Sequence, residues 1–155
     1  MEALVAFGSN IDAAHNLPKA MRHVAGLADT QTTSSSWRTA PHGPVEGGEF
    51  LNAVQHIKWH GDLAALQAAL KRIESRMGRQ PDTSWKARPI DLDVLAVREH
   101  RKAWVVLDEG LAEKPFLLRP LAEVAPNLRV GKVTVAELAR GLEPDGAQLV
   151  HPRAR

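Results

Sequence analysis

Two aspartates in the middle of the chain, Asp91 and Asp93, have the type and spacing to bind a metal ion. They lie two positions apart in a segment that reads as a β-strand, and alternate side chains of a strand point to the same face. The opposite face of this segment is apolar and can anchor in a core, since it carries Ile90, Leu92 and Val94. Two carboxylates about 7 Å apart at their Cα atoms repel each other unless a cation or a proton lies between them. We therefore expect both carboxylates to face a cleft.

The residues around this pair favour phosphate chemistry. Hard divalent ions such as Mg²⁺ bind through one or two carboxylates together with the phosphates of a substrate. Arg79 and Arg88 flank the aspartates, and a guanidinium fork fits phosphate oxygens. Metal carboxylates next to arginines indicate phosphoryl or pyrophosphoryl transfer. An isolated Asp-x-Asp on a strand is more often a solvated edge or a turn partner, so the rest of the chain must decide.

Composition is that of an ordinary globular protein and predicts one domain over residues 1–155, with 44% hydrophobic and 25% charged residues. No apolar run approaches the ~20 residues needed to cross a membrane, and the N-terminus lacks the pattern of a secretory signal. Cysteine is absent, which excludes a disulfide framework and a cysteine nucleophile and is compatible with a cytoplasmic location. The formal net charge of +2 has no long single-sign run, which suits a local phosphate pocket better than a nucleic-acid surface.

The hydrophobic pattern predicts the element order β-α-β-β-α-β with further elements appended. Strands are expected at residues 4–7, 30–37, 50–59, 90–97 and 104–107, and helices at 16–27, 63–77, 117–124 and 134–140. Asp62 and Thr134 are predicted N-caps, Gly78 a helix stop, and Pro18 a first-turn residue. This order predicts an α+β fold, a ferredoxin-like antiparallel sheet with helices packed on its faces. Long, candidate functional loops are expected at 39–49 and 80–87, and a weakly ordered tail at 143–155.

Short motifs follow one another over residues 3–128 in an order and spacing that are together highly specific. They are Phe7-Gly8-Ser9-Asn10, Thr39-Ala40-Pro41-His42-Gly43-Pro44, Phe50-Leu51-Asn52-Ala53, Ile73-Glu74 with Gly78-Arg79, Trp85-Lys86-Ala87-Arg88-Pro89-Ile90-Asp91-Leu92-Asp93, Phe116-Leu117-Leu118-Arg119-Pro120-Leu121 and Ala125-Pro126. In these motifs the chain resembles the family of 6-hydroxymethyl-7,8-dihydropterin pyrophosphokinases, folate-pathway enzymes that move a pyrophosphoryl group from ATP to a hydroxymethyl-pterin. The resemblance implies ATP as co-substrate and two Mg²⁺ ions as cofactors. We expect small molecules as the partners, no nucleic acid or membrane, and a monomer.

The resemblance also implies roles for individual side chains. The Mg²⁺ ligands match Asp91 and Asp93, which together with Arg79 and Arg88 form the expected catalytic set. The partner of the pterin amide matches Asn52, and the aromatic residues that sandwich the pterin ring match Phe50 or Phe116. Further pterin contacts are expected at Thr39, Pro41, His42 and Trp85, and nucleotide contacts at Glu74, Arg79, Trp85, Arg88 and Lys114. These types suit the task, because aromatic faces stack on a flat ring and Asn offers both a donor and an acceptor.

The chain departs from the family pattern mainly on the nucleotide side. Acidic Asp108 and Glu109 stand where a Pro-His pair is usual, and Lys114 replaces an arginine, which keeps the charge but loses the bidentate fork. Two acids near ATP phosphates are unfavourable by about 1 kcal/mol or more per close pair unless a metal or a lysine intervenes. Further departures are Pro81 and Asp82, and Glu46 with Gly47. Two readings follow: a working enzyme with an altered ATP clamp, which we favour, or a pterin-binding paralogue with weak or altered nucleotide chemistry.

A different class, the RNA-recognition domains, has the same element order but a different sequence signature. Those domains display stacking aromatics on their inner strands, in a Lys/Arg-Gly-aromatic run. This chain has no tyrosine, only three phenylalanines and no such run. The sequence therefore does not favour RNA binding.

Overall fold

The computed structural model describes residues 1–39, 49–79, 87–142 and 148–151. Nine strands and four α-helices, with a short 3-10 helix at Leu111–Glu113, make up this part of the chain. The strands are β1 Glu2–Ser9, β2 Asp29–Thr33, β3 Ser36–Thr39, β4 Phe50–Lys58, β5 Asp91–Arg98, β6 Val105–Val106, β7 Arg129–Val130, β8 Val133–Thr134 and β9 Gln148–His151. The helices are α1 Ala13–Ala25, α2 Leu63–Arg76, α3 Pro115–Val124 and α4 Val135–Arg140. No described helix is long and apolar enough to cross a membrane.

The main sheet has the strand order β6-β5-β1-β4-β3-β9, with β2 also paired to β4. Each pairing in it is antiparallel. Strands β2 and β3 both pair with β4 and can be counted as one strand. The first four strands along the chain are then β1, β2 with β3, β4 and β5, and their order in the sheet is β5-β1-β4-β3, which is the ferredoxin-like arrangement. The predicted fold class is therefore confirmed.

Helices pack on both faces of this sheet because β1 is apolar on both sides. Ala3, Val5 and Phe7 face a core formed with α1 and α2. Leu4 and Ala6 face a second core formed with the 3-10 helix, α3 and α4. A strand buried on both faces reads as a continuous apolar run, as residues 3–7 do. The alternation predicted for β5 is also confirmed, since Ile90, Leu92 and Val94 belong to the first core.

The predicted helix ends are mostly confirmed. The Asp62 carboxylate accepts a hydrogen bond from Ala65 N at 2.8 Å, and Thr134 forms a capping box with Glu137. The first helix is different, because it begins at Ala13 rather than at residue 16. Pro18 therefore lies in the second turn, where its missing N–H removes one intrahelical hydrogen bond, and the prediction of a first-turn proline was wrong.

Two predictions about strands were wrong. Residues 30–37 form two strands rather than one, because the Ser34 hydroxyl accepts a hydrogen bond from Val54 N at 2.8 Å in place of a backbone carbonyl. The next backbone N–H, of Ser35, donates to Glu123 on α3 at 2.7 Å instead of to the sheet. Within the tail that was predicted to be weakly ordered, residues 148–151 form β9, an edge strand paired with β3, and the other residues of 143–155 lie outside the described part of the chain. The loops predicted at 39–49 and 80–87 fall almost entirely outside the described residues.

Candidate active site

The cleft-facing ends of three neighbouring strands bring the predicted site residues together. Gly8 of β1 is the register partner of both Asn52 on β4 and Asp91 on β5. A Cβ atom at position 8 would lie 2.9 Å from Oδ1 of Asn52 and 4.0 Å from Cβ of Asp91. Glycine is therefore required for the Asn52 side chain to lie where it does. This glycine was part of a quoted motif, but no role had been predicted for it.

Asp91 is held by both arginines that were predicted to flank it. Its Oδ1 accepts a hydrogen bond from Nη1 of Arg79 at 2.5 Å, and its Oδ2 accepts one from Nη1 of Arg88 at 3.0 Å. All three side chains are largely shielded from solvent, with 27% of Asp91, 21% of Arg79 and 12% of Arg88 exposed. Charge-assisted bonds in such surroundings are stronger than those at an open surface. The two cations thus balance the charge of Asp91.

Asp93 lies one step further along the same face and is exposed to solvent. Desolvation in the cleft, followed by the negative charges of Asp91 and Glu74, raises the pKa of Asp93 to about 6. The positive charges of Lys114 and Arg79 act in the opposite direction. Water on the exposed side screens part of the repulsion. A carboxylate of this kind is stabilised when a cation binds beside it.

A turn at the end of α2 places Arg79 beside the aspartates. Gly78 has φ of +92°, its N–H donates to Ser75 O at 3.1 Å, and Arg79 N donates to Glu74 O at 3.0 Å. This is the Schellman arrangement, in which a residue of positive φ turns the chain back over the last helical turn. The predicted helix stop at Gly78 is confirmed, and it aims Arg79 toward β5.

Glu74 lies behind Arg79, at the junction between α2 and β5. Its Oε2 accepts hydrogen bonds from Nη1 of Arg79 at 2.5 Å and from Leu92 N at 3.0 Å. Burial raises the pKa of the Glu74 carboxyl, against these hydrogen bonds, which lower it. In this structure Glu74 therefore supports Arg79, and its predicted contact with nucleotide stays a prediction.

Arg88 is fixed by the end of β1. Arg88 N donates to Oδ1 of Asn10 at 2.7 Å, and Asn10 N donates to Arg88 O at 3.2 Å. The Arg88 guanidinium carbon also lies 5.9 Å from the centre of the Phe50 ring, within the range of a cation–π contact. Asn10 is thus a positioning residue whose role is not evident from the sequence, although it belongs to the motif Phe7-Gly8-Ser9-Asn10.

Of the residues predicted to bind the pterin, Phe50 and Asn52 lie next to this charged group. Asn52 is buried, and its Nδ2 donates to Oγ1 of Thr39 at 3.3 Å. Phe50, two residues before Asn52, contacts Arg88, and Phe116 lies in the first turn of α3 against the second core. Three other predicted contacts, Pro41, His42 and Trp85, lie outside the described residues.

On the predicted nucleotide side, Lys114 forms an ion pair. Its Nζ donates to Oδ2 of Asp108 at 2.8 Å. The lysine is thereby paired with one of the two acids that stand where a Pro-His pair is usual. Its predicted contact with nucleotide stays a prediction.

The two carboxylates of Asp91 and Asp93 fit magnesium better than they fit metals that need several protein ligands. In the described ranges no group of three or more His, Cys, Asp or Glu side chains is arranged to hold a metal ion. Mg²⁺ retains waters and binds through one or two carboxylates plus substrate phosphates, so Asp91 and Asp93 suffice for it.

Comparison with known proteins gives a consistent result. The family model of 7,8-dihydro-6-hydroxymethylpterin-pyrophosphokinase (HPPK) matches residues 4–126. A 2-amino-4-hydroxy-6-hydroxymethyldihydropteridine pyrophosphokinase of Methylorubrum extorquens is 35% identical, over 96% of this chain and 98% of its own length. The enzyme of the same name from Haemophilus influenzae is 30% identical over 81% of this chain and 82% of its own.

Two longer proteins match as well. The folate synthesis bifunctional protein of Pisum sativum, described as mitochondrial, is 33% identical over 79% of this chain, which spans 25% of that protein. A crystal structure of Plasmodium falciparum HPPK-DHPS superposes with a TM-score of 0.72 at 13% identity, covering 90% of this chain and 45% of the other. At that identity the likeness supports the fold alone.

Proposed function

Because the chain belongs to the 7,8-dihydro-6-hydroxymethylpterin-pyrophosphokinase family, it is a pyrophosphokinase of that kind, and we propose the following reaction and site for it. The pyrophosphoryl group of ATP is transferred to 6-hydroxymethyl-7,8-dihydropterin, giving AMP and the pterin pyrophosphate, in folate biosynthesis. The observation that carries the proposal is the juxtaposition, across Gly8, of Asn52 on one side and Asp91 on the other. The amide proposed to bind the ring and a carboxylate proposed to bind metal thus lie on the two strands that flank β1.

Asp91 and Asp93 are the proposed ligands of two Mg²⁺ ions. Held by these two carboxylates, such ions would neutralise charge on the group that is transferred. The support from this chain is electrostatic, since desolvation of the carboxylate in the cleft and the negative charges of Asp91 and Glu74 raise the pKa of Asp93. Two aspartates on one face of β5 give a fixed place for the cations, because the opposite face is anchored in the core.

Arg79 and Arg88 are the proposed phosphate-binding cations. Both donate to Asp91, so their guanidinium groups lie at the proposed metal ligand. Phosphate offers the same bidentate geometry as a carboxylate, which lets these arginines exchange one anion for another at small displacement. Their charge then acts on the transferred group by position and electrostatics, the main means of catalysis in phosphoryl transfer.

Asn52 is the proposed partner of the pterin amide, with Thr39 fixing its orientation. The hydrogen bond from Asn52 to Thr39 leaves Oδ1 of Asn52 at the surface of Gly8. Phe50 and Phe116 are the proposed aromatic walls for the ring. On the strength of the sequence, Pro41, His42 and Trp85 complete the pterin site, and Glu74 and Lys114 join the nucleotide site with Trp85.

The remaining assignments follow the family and the composition. We propose that residues 1–155 act as one domain, as a monomer, in the cytoplasm, with small molecules as the partners. The alternative of a pterin-binding paralogue is not favoured, because the family match continues through residues 107–114, where the chain departs from the usual pattern.

The direct test is an assay of purified protein with Mg²⁺, ATP labelled at the β-phosphate, and 6-hydroxymethyl-7,8-dihydropterin. The proposal predicts AMP and labelled pterin pyrophosphate in equal amounts, both dependent on Mg²⁺. Formation of ADP in place of AMP would mean transfer of a single phosphate. Pterin binding by calorimetry without any AMP would instead favour the paralogue.

A further inference from the structure

Asp108 lies in a loop that is tied to the strand carrying the metal ligands. Leu107 N and Asp108 N donate to Leu95 O at 2.8 and 3.4 Å, two residues beyond Asp93. Leu111 N donates back to Asp108 O at 3.2 Å, and the Leu111 side chain is fully buried. The backbone of Asp108 therefore has little freedom relative to β5.

The Asp108 side chain is fixed at both oxygens. Its Oδ1 accepts a hydrogen bond from Gly110 N at 3.0 Å, and its Oδ2 accepts one from Nζ of Lys114 at 2.8 Å. A Cβ atom at position 110 would lie 3.8 Å from Cε of Lys114, so the lysine stem runs along the turn. With 18% of Asp108 and 34% of Lys114 exposed, the pair is partly shielded from water. The loop thus holds the ammonium group in one place.

Lys114 lies on the same face of the sheet as the proposed metal ligands. It directly precedes α3, which packs on the second core. Leu95 belongs to that core and is two residues beyond Asp93, so both side chains are on the face of β5 that α3 covers.

A lysine needs such support more than an arginine does. Its ammonium group ends a flexible four-carbon stem, and ordering that stem costs conformational entropy when a phosphate binds. A carboxylate that orders the stem in advance removes part of this cost. Asp108 also repels phosphate, which opposes this gain. If ordering of Lys114 dominates, removing the charge of Asp108 weakens ATP binding, and if repulsion dominates, removing it strengthens ATP binding.

We propose that Asp108 is a positioning residue for nucleotide use, which fixes the Lys114 ammonium group, on the face of the sheet that carries Asp93, for the polyphosphate of ATP. This inference rests on the proposed function. It explains how an acidic residue is compatible with the nucleotide side of the site, because its charge is directed at Lys114 and at Gly110 N.

A double-mutant cycle tests this inference. Asp108→Asn keeps an acceptor for Gly110 N. We expect it to lower kcat/KM for ATP by about threefold to tenfold, which corresponds to the entropic cost of ordering one flexible side chain. In a Lys114→Met background the same substitution should have no further effect on kcat/KM for ATP, since Asp108 acts through Lys114. Glu99→Gln, at an exposed acid just beyond the end of β5 opposite Asp91, is the matched control and should leave kcat/KM unchanged.

Binding of a non-hydrolysable ATP analogue with Mg²⁺, measured by calorimetry on the same variants, separates this inference from the proposed function. Absence of AMP formation by the wild type would refute the function, while the affinities would still decide the role of Asp108. Weaker analogue binding in Asp108→Asn that vanishes in the Lys114→Met background supports positioning. Tighter binding in Asp108→Asn, or an equal loss in both backgrounds, overturns it.

Discussion

Nη1 of Arg79 lies 2.5 Å from Oδ1 of Asp91, and the same nitrogen lies 2.5 Å from Oε2 of Glu74. Burial opposes the charge of Arg79, but these two carboxylates outweigh burial and raise the pKa of the guanidinium group. One cation thus connects the end of α2 to the cleft end of β5. The position of Arg79 depends on the turn before it, which makes that turn a target for mutation.

Gly78→Ala should displace Arg79 and destabilise the fold. The φ of +92° at residue 78 disfavours any side chain, by about 1–2 kcal/mol for alanine, although no atom lies within 4 Å of the added Cβ. We expect a free energy of unfolding lower by that amount and a reduced kcat, measured by urea denaturation and the AMP assay. Gly141→Ala, at a helix end with φ of −82°, is the control and should change neither quantity. Equal stability of the Gly78 variant and wild type would refute the role of the turn.

Gly8→Ala should weaken pterin binding. The added Cβ would lie 2.9 Å from Oδ1 of Asn52, so Asn52 must move away from Thr39. We expect an affinity for the pterin about tenfold lower, equivalent to about 1.4 kcal/mol, and a similar loss of stability through overpacking. Calorimetry with the pterin measures the first and thermal unfolding the second.

Gly26→Ala provides the comparison for this variant. Residue 26 has φ of −76°, and its Cβ would meet its nearest neighbour at an ordinary 3.5 Å. Its pterin affinity should equal that of the wild type. An undiminished pterin affinity in Gly8→Ala would place the ring somewhere other than over Asn52.

Local patterns predicted the part of the site that depends on single elements. Alternation in residues 90–94 predicted the shared face of Asp91 and Asp93, and Gly78 predicted the end of α2. These features follow from strand and helix periodicity and from the φ preference of glycine.

Interactions between distant residues could not be predicted in the same way. The break between β2 and β3 depends on a hydrogen bond from Val54 N to the Ser34 hydroxyl and on Glu123, which is 88 positions from Ser35. The pairing of β9 with β3 and the double contact of Arg79 are likewise tertiary. The motif resemblance predicted the site residues, but only the three-dimensional structure shows that Gly8 makes room for the side chain of Asn52.

Glu2→Gln should reduce stability in a pH-dependent manner. Hydrogen bonds from Arg98 lower the pKa of the Glu2 carboxyl more than burial raises it, and His56 lowers it further. The folded pKa is below the usual value of 4.5, so the unfolded chain binds more protons as pH falls through this range. The stabilisation is therefore present above about pH 4.5 and is lost as the pH falls through the folded pKa. We expect the variant to be about 1–2 kcal/mol less stable at pH 7, the value of charge-assisted hydrogen bonds, and the difference to shrink at acid pH.

Urea denaturation between pH 3 and pH 7 measures this difference. Asp29→Asn is the matched control, because Asp29 pairs with His60 at 3.4 Å at the protein surface. The Asp29 side chain is 68% exposed and that of His60 is 77% exposed. Exposed pairs contribute little, so this variant should follow the wild type at each pH. A constant difference between Glu2→Gln and wild type over the whole range would contradict the assignment.

The central claim is that Asp91 and Asp93 hold the metal ions that serve the transferred group, and Asp93→Asn tests it most directly. AMP formation should fall by about a thousandfold, in keeping with several kcal/mol of charge stabilisation by a bound metal. The free energy of unfolding should not decrease, since the residue is exposed and its ionised form is opposed by Asp91 and Glu74. Titration with Mn²⁺ in the presence of an ATP analogue, followed by electron paramagnetic resonance, should show fewer bound ions than in the wild type. Wild-type turnover and full Mn²⁺ binding in Asp93→Asn would contradict the account.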